Sequence, residues 1–197
     1  MKLKAILASG LGLLALLSGA VTQAAPITYT GVLFDSVTVN GDIPTTGLPG
    51  SPSASLSDYW SFTGNAGDLF SLVGLRLEGA FDMSFWVFSG IFADDSVFGG
   101  SLNAGDAGFL DFADDENSPN IPGPFGDPFS SFALPSTGQY TVIVTNFASG
   151  ADNGDGVFPY SLTATGVSAI PLPAALPLLL VAIGGLGLVG RRKRHVV

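Results

Sequence analysis

From residue 25 to residue 166 apolar and polar positions alternate in short runs, with little of the spacing that marks an amphipathic helix. Asp58-Tyr59-Trp60-Ser61-Phe62 sets Trp60 and Phe62 on one face. "LFSLVGLRL", Leu69 to Leu77, puts Leu69, Val73, Leu75 and Leu77 in phase, with Ser71 as the exception. "SFWVF", Ser84 to Phe88, is a short apolar run suited to a central strand. "QYTVIVTN", Gln139 to Asn146, alternates Tyr140, Val142 and Val144 against Thr141, Ile143 and Thr145, and "YSLTAT" does the same with Tyr160, Leu162 and Ala164. These five segments are predicted strands. Turns separate them by residue chemistry: Gly64 to Asp68, Pro135 to Gly138 and Asp152 to Gly156. Proline and glycine between Asn117 and Pro128 predict a long loop.

The two ends break this pattern. Met1 to Ala24 has Lys2 and Lys4 at its head, an apolar run from Ala5 to Ala20, and the small residues Thr22 and Ala24 before Ala25. That is the layout of a secretory signal peptide cut before Ala25. At the other end, the 18 residues from Leu172 to Val189 carry no charge, and Arg191-Arg192-Lys193-Arg194 follows. Such a stretch just crosses a hydrocarbon core of roughly 30 Å at about 1.5 Å per residue. The basic cluster would stay cytoplasmic, leaving the body outside. Pro171, Pro173 and Pro177 crowd the outer edge of this helix and keep the chain before Ala174 unwound, open to a protease or transpeptidase. The expected organisation is a signal peptide over residues 1–24, one antiparallel all-β sandwich over residues 25–168, and a sorting segment over residues 169–195.

Charge narrows the partners. Sixteen acidic residues lie between Asp35 and Asp155 against one basic residue, Arg76, a net charge of −15. A field of that sign repels nucleic acid and anionic membrane surfaces and attracts divalent cations or basic partners. There is no cysteine, and the single histidine, His195, lies beyond the basic cluster. Cys-based and His-based catalysis and metal binding are therefore excluded in the body. The densest chemistry is Asp111-Phe112-Ala113-Asp114-Asp115-Glu116-Asn117, read as a loop, with Asp82 and the Asp94-Asp95 pair as further oxygen sources. Asp111, Asp114, Asp115, Glu116 and Asp82 are the candidate ligands of a Ca²⁺ ion, which takes about six to eight hard oxygens. The same residues also read as a solvated acidic surface that keeps an exported protein soluble. Asp152-Asn153-Gly154-Asp155-Gly156 lacks EF-hand spacing and reads as a turn. Trp60 and Trp86 sit in core-like patterns, although either could stack on a sugar ring.

Two resemblances follow. Ile170-Pro171-Leu172-Pro173-Ala174, the apolar run with Gly184-Gly185-Leu186-Gly187-Leu188, and the terminal Arg/Lys cluster resemble the PEP-CTERM sorting signals of Gram-negative bacteria, in the Val-Pro-Leu-Pro-Ala variant. Ile170 stands where that variant usually has Val. This resemblance implies that an exosortase recognises the tail, cuts near Pro171, Leu172, Pro173 and Ala174, and releases or transfers the body. The inner-membrane anchor would then be transient, and the destination the envelope or extracellular polysaccharide matrix. The order "DYWSFTGNAGDLFSL", "FDMSFWVFSG", "DFADDENSP", "LPSTGQYTVIVTN", "YSLTATG" is similar to the bacterial pre-peptidase C-terminal domain. That resemblance implies a jelly-roll-like sandwich, calcium-stabilised in some members, although no peptidase precedes it here. Three functions remain open: a non-enzymatic exported protein, a carbohydrate-binding or adhesive module, and a hydrolase working with carboxylates alone.

Overall fold

The computed structural model describes residues 24–44, 56–78, 81–98, 101–147 and 157–168. The predicted signal peptide before Ala24, the turn Asp152–Gly156 and the whole sorting segment, with Pro171, Leu172, Pro173, Ala174, Arg191, Arg192, Lys193 and Arg194, lie outside the described residues. Among the described residues no helix is long and apolar enough to cross a membrane.

Among the described residues nine strands form two sheets: β1 (Tyr29–Val32), β2 (Thr38–Pro44), β3 (Asp58–Gly64), β4 (Leu69–Arg76), β5 (Met83–Ser89), β6 (Phe109–Ala113), β7 (Phe129–Ala133), β8 (Gly138–Asn146) and β9 (Val157–Thr165). One sheet runs β1-β3-β8-β5-β6 and the other β2-β9-β4-β7. Among these strands only β5 and β6 are successive and share a sheet; every other step crosses the sandwich, the wound connectivity of a jelly roll. All five predicted strands are present, with β5 central between β8 and β6.

The expectation of a purely antiparallel sandwich needs one correction. β1 pairs with β3 in parallel, Tyr29 beside Tyr59 and Val32 beside Ser61. β1 leads into the opposite sheet at β2, so no hairpin turn dictates its direction.

Alternation along each strand builds the core. Trp60 and Phe62 of β3, Met83, Phe85 and Val87 of β5, Tyr140, Val142 and Val144 of β8, and Tyr160, Leu162 and Ala164 of β9 face inward. Phe62 stacks on Phe70 of the opposite sheet at a centroid separation of 4.5 Å and on Tyr140 at 4.9 Å. Such pairs add about 0.5–1.5 kcal/mol each beyond the area they bury. A polar bridge also crosses the sheets: the Trp60 indole donates to Tyr160 Oη (2.7 Å), and Tyr160 donates to Asp58 Oδ2 (2.6 Å). Burial first, then the Asp58 charge, pushes the Tyr160 phenol far up, so it remains a donor. Gly41 of β2 is required above it, because a Cβ there would lie 2.3 Å from that phenolic oxygen.

β4 reverses its predicted phase. Phe70, Leu72 and Arg76 point inward, whereas Leu69 is 67% exposed and Leu77 is exposed as well. Both faces of this strand carry large apolar groups, and the core takes the one that also holds Ser71 outside. The outer face of the five-stranded sheet is not left to water either. Tyr59, Trp86, Phe88 and Ile143 form a second cluster with Phe98 and Leu102, which belong to the connection between β5 and β6. Thr141 and Thr145 are buried on the same face.

Candidate metal centre

Antiparallel pairing of β5 with β6 sets Phe85 opposite Ala113. The residues flanking those strands therefore meet: Asp82, just before β5, and Asp114 and Asp115, just after β6. One oxygen from each of these three carboxylates lies within 4.8 Å of the others. Asp82 is 3% exposed, Asp114 is half-buried and Asp115 is exposed, so the group grades from the interior to the surface. Asp114 Oδ1 is buried and receives no hydrogen bond. Burial, then the charges of Asp82 and Asp115, raise the Asp114 carboxyl to about 8.

The other two predicted ligands are turned elsewhere. Asp111 lies on β6 rather than in a loop, opposite Val87 of β5, and its neighbour Phe112 packs on Trp86. Its Oδ2 accepts the Ser130 hydroxyl of β7, in the opposite sheet. Glu116 Oε2 accepts the Asp114 N–H (2.8 Å) and the Phe129 N–H (3.2 Å), which folds the chain after β6 back on itself. Asp94 and Asp95 lie in a different region, where Asp94 Oδ1 accepts the Ser96 N–H at 3.1 Å.

Arg76 is the residue that pattern reasoning missed. Its guanidinium is 0% exposed and its Nε donates to Asp127 Oδ1 at 3.1 Å. The same group donates to Phe125 O (2.6 Å) and to Phe81 O (3.3 Å), next to Asp82. Asp127 Oδ2 accepts the Asn120 N–H, so the predicted loop from Asn117 to Pro128 is tied to the sandwich. Gly123 permits this packing, since a Cβ there would stand 3.0 Å from Arg76 Nη1. The tied loop also reaches the carboxylate group, where the Gly126 N–H donates to Asp115 Oδ1. The one arginine of the acidic stretch between Asp35 and Asp155, in phase with Phe70 and Leu72, was the available signal.

Three carboxylates graded from buried to exposed, one with an undonated buried oxygen, fit a hard divalent cation. Oxygen-only donors suit calcium, which accepts irregular, partly hydrated coordination. Asp82, Asp114 and Asp115 would hold it, and the ion would offset the repulsion that adds to burial in raising the Asp114 carboxyl.

No protein family model matches the chain, and no curated protein matches it. Solved structures do. CorA, a surface-associated copper-binding protein of Methylomicrobium album BG8, is similar at a TM-score of 0.50 and 10% identity, over 71% of this chain and 98% of that one. PliG of Aeromonas hydrophila, a periplasmic inhibitor of g-type lysozyme, gives 0.46 and 18% over 73% and 98%. The pre-peptidase C-terminal domain of a Bacillus anthracis collagenase gives 0.42 and 13% over 73% and 100%. At such identities the likeness to CorA is one of fold, a two-sheet all-β sandwich.

Proposed function

We propose that this chain is an exported, non-enzymatic β-sandwich protein that binds calcium through Asp82, Asp114 and Asp115. In this reading an exosortase processes its C-terminal tail, and the body ends in the bacterial envelope or the surrounding polysaccharide matrix. The observation that carries the calcium reading is the carboxylate group itself, which gathers three acidic side chains beside a buried arginine already committed to Asp127. CorA, a surface-associated protein whose partner is copper, is a precedent for a metal-holding exported protein on a similar fold. Carboxylates without histidine or thiolate favour a harder ion here. Trp60 and Trp86 are 5% and 9% exposed and serve the two cores, so the adhesive alternative cannot draw its sugar platform from tryptophan.

A thermal melt of the exported protein, with calcium and with excess chelator, tests the reading. Calcium at about a hundredfold excess over its Kd stabilises the native state by about 2.7 kcal/mol. The expected result is a midpoint several degrees higher, a gain lost in Asp114→Asn and Asp115→Asn. An unchanged midpoint in the parent protein would leave the carboxylates as a solubilising surface.

A further inference from the structure

The chain just before β1 runs along the connection between β5 and β6. The Ile27 N–H donates to Ala93 O (2.9 Å), the Asp95 N–H donates to Ala25 O (3.1 Å), and Pro26 bridges antiparallel to Asp94. Ile27 is half-buried against the cluster of Tyr59, Trp86 and Phe88. These contacts fix the backbone nitrogen of Ala25, whose N–H donates to Asp95 Oδ1 at 2.8 Å. Ala25 is also the residue that follows the predicted cut.

We propose that Asp95 is the receptor for the new N-terminus made when the signal peptide is removed before Ala25. The proposal rests on that cleavage reading and is independent of the calcium site. A leader peptidase breaks the bond between Ala24 C and Ala25 N with one water. The water oxygen goes to the new Ala24 carboxylate, and the freed nitrogen, protonated at neutral pH, becomes an ammonium. A neutral N–H contact is thereby replaced by an ion pair at the same place.

The surroundings favour the charge. On the connection, Asp95 and Asp94 are both anionic groups, and Asp94 is held by Ser96. On β3 and β1 the facing titratable groups are Tyr59 and Tyr29. Burial first and the Asp95 charge second push the Tyr59 phenol up, so it stays neutral. Arg76, the sole basic side chain between residues 25 and 168, is buried on Asp127 and does not compete. Processing therefore strengthens the hold on the segment that closes over the second core, where an uncut chain has the neutral N–H bond alone.

The sequence permits a clean test. Lysine occurs only at positions 2, 4 and 193, so a protein beginning at Ala25 has its α-amine as the sole primary amine apart from Lys193. The full chain is expressed in a Gram-negative host, and the exported product is weighed intact. Its N-terminal peptide is then followed through acylation by an amine reagent from about pH 6 to about pH 10. The expected product starts at Ala25, and its labelling curve sits about one pH unit above the ordinary range of about 7.7–8.0. The curve returns to that range in Asp95→Asn and, for the parent protein, in about 1 M salt, where the Debye length falls to about 3 Å. A product starting elsewhere overturns the proposal. So does a parent curve already in the ordinary range or unmoved by salt, which is decisive even where Asp95→Asn does not fold.

Discussion

Asp127 and Asp82 are two acidic residues buried at the same end of the sandwich, yet their surroundings are opposite in kind. Asp127 has an internal cation: Arg76 donates to it at 3.1 Å, with both side chains out of solvent. Asp82 has acidic company, Asp114 and Asp115, and burial, then the charges of Asp82 and Asp115, raise the Asp114 carboxyl to about 8. The chain holds one arginine for sixteen carboxylates across its acidic stretch, and folding commits that arginine to a loop staple. The comparison teaches that the first carboxylate is balanced by a cation of the protein itself, whereas the second stands in a group of three carboxylates, which the proposed calcium ion would balance.

The largest effect should come from breaking the balanced pair. Arg76→Met leaves the Asp127 carboxylate buried without its partner, a change that costs about 3–5 kcal/mol. Urea unfolding of the chelated protein should show that loss, and Arg76→Met combined with Asp127→Leu should recover much of it. A single variant within about 1 kcal/mol of the parent would mean that Asp127 reaches water readily, and the contrast would collapse.

That staple also marks the boundary of what the sequence discloses. Strands β3, β5, β8 and β9 were legible because each inward row is apolar and aromatic. The phase of β4 was not, because Leu69, Val73, Leu75 and Leu77 outnumber Phe70 and Leu72. Its inward side is decided by a partner for Arg76 that lies 51 residues away. Thr141, Ile143 and Thr145 look like a solvent face and are buried, Ile143 in a cluster with Phe98 and Leu102, a covering that no local pattern announces. Asp114 and Asp115 stood out as candidate ligands by their density and Asp82 as a further oxygen source, and the β5–β6 register brings the three carboxylates together. Asp111 was misjudged as loop because its charge outweighed the apolar residues on either side of it, Leu110 and Phe112.

A medium effect is expected when pH is varied in the absence of metal. A carboxyl raised above its unfolded value binds a proton in the folded state where the unfolded chain has lost it. Stability from Asp114 is therefore fully present below about 3.8 and is lost as pH rises through about 8. Chelated protein should melt at progressively lower temperature over that window, and Asp114→Asn should flatten the slope and melt higher than the parent at pH 8. Calcium should oppose the trend, since it binds the ionised form. A chelated parent whose midpoint is level or rising from pH 5 to pH 8 would show that the three carboxylates do not repel one another as their spacing implies.

The smallest effect concerns the edge of the second site. The Ser130 hydroxyl donates to Asp111, joining β7 to β6 across the sandwich, and this contact stands outside the carboxylate group. Ser130→Ala should cost about 1.5 kcal/mol, the low end for a bond to a charged acceptor. Because the bond serves packing alone, the calcium-induced rise in midpoint should be the same in Ser130→Ala and Asp111→Asn as in the parent. If instead Asp111→Asn reduces the calcium response as much as Asp115→Asn does, Asp111 leaves Ser130 to reach the ion. The ion would then gain a fourth carboxylate from the same sheet, at the expense of the bond that joins β6 to β7.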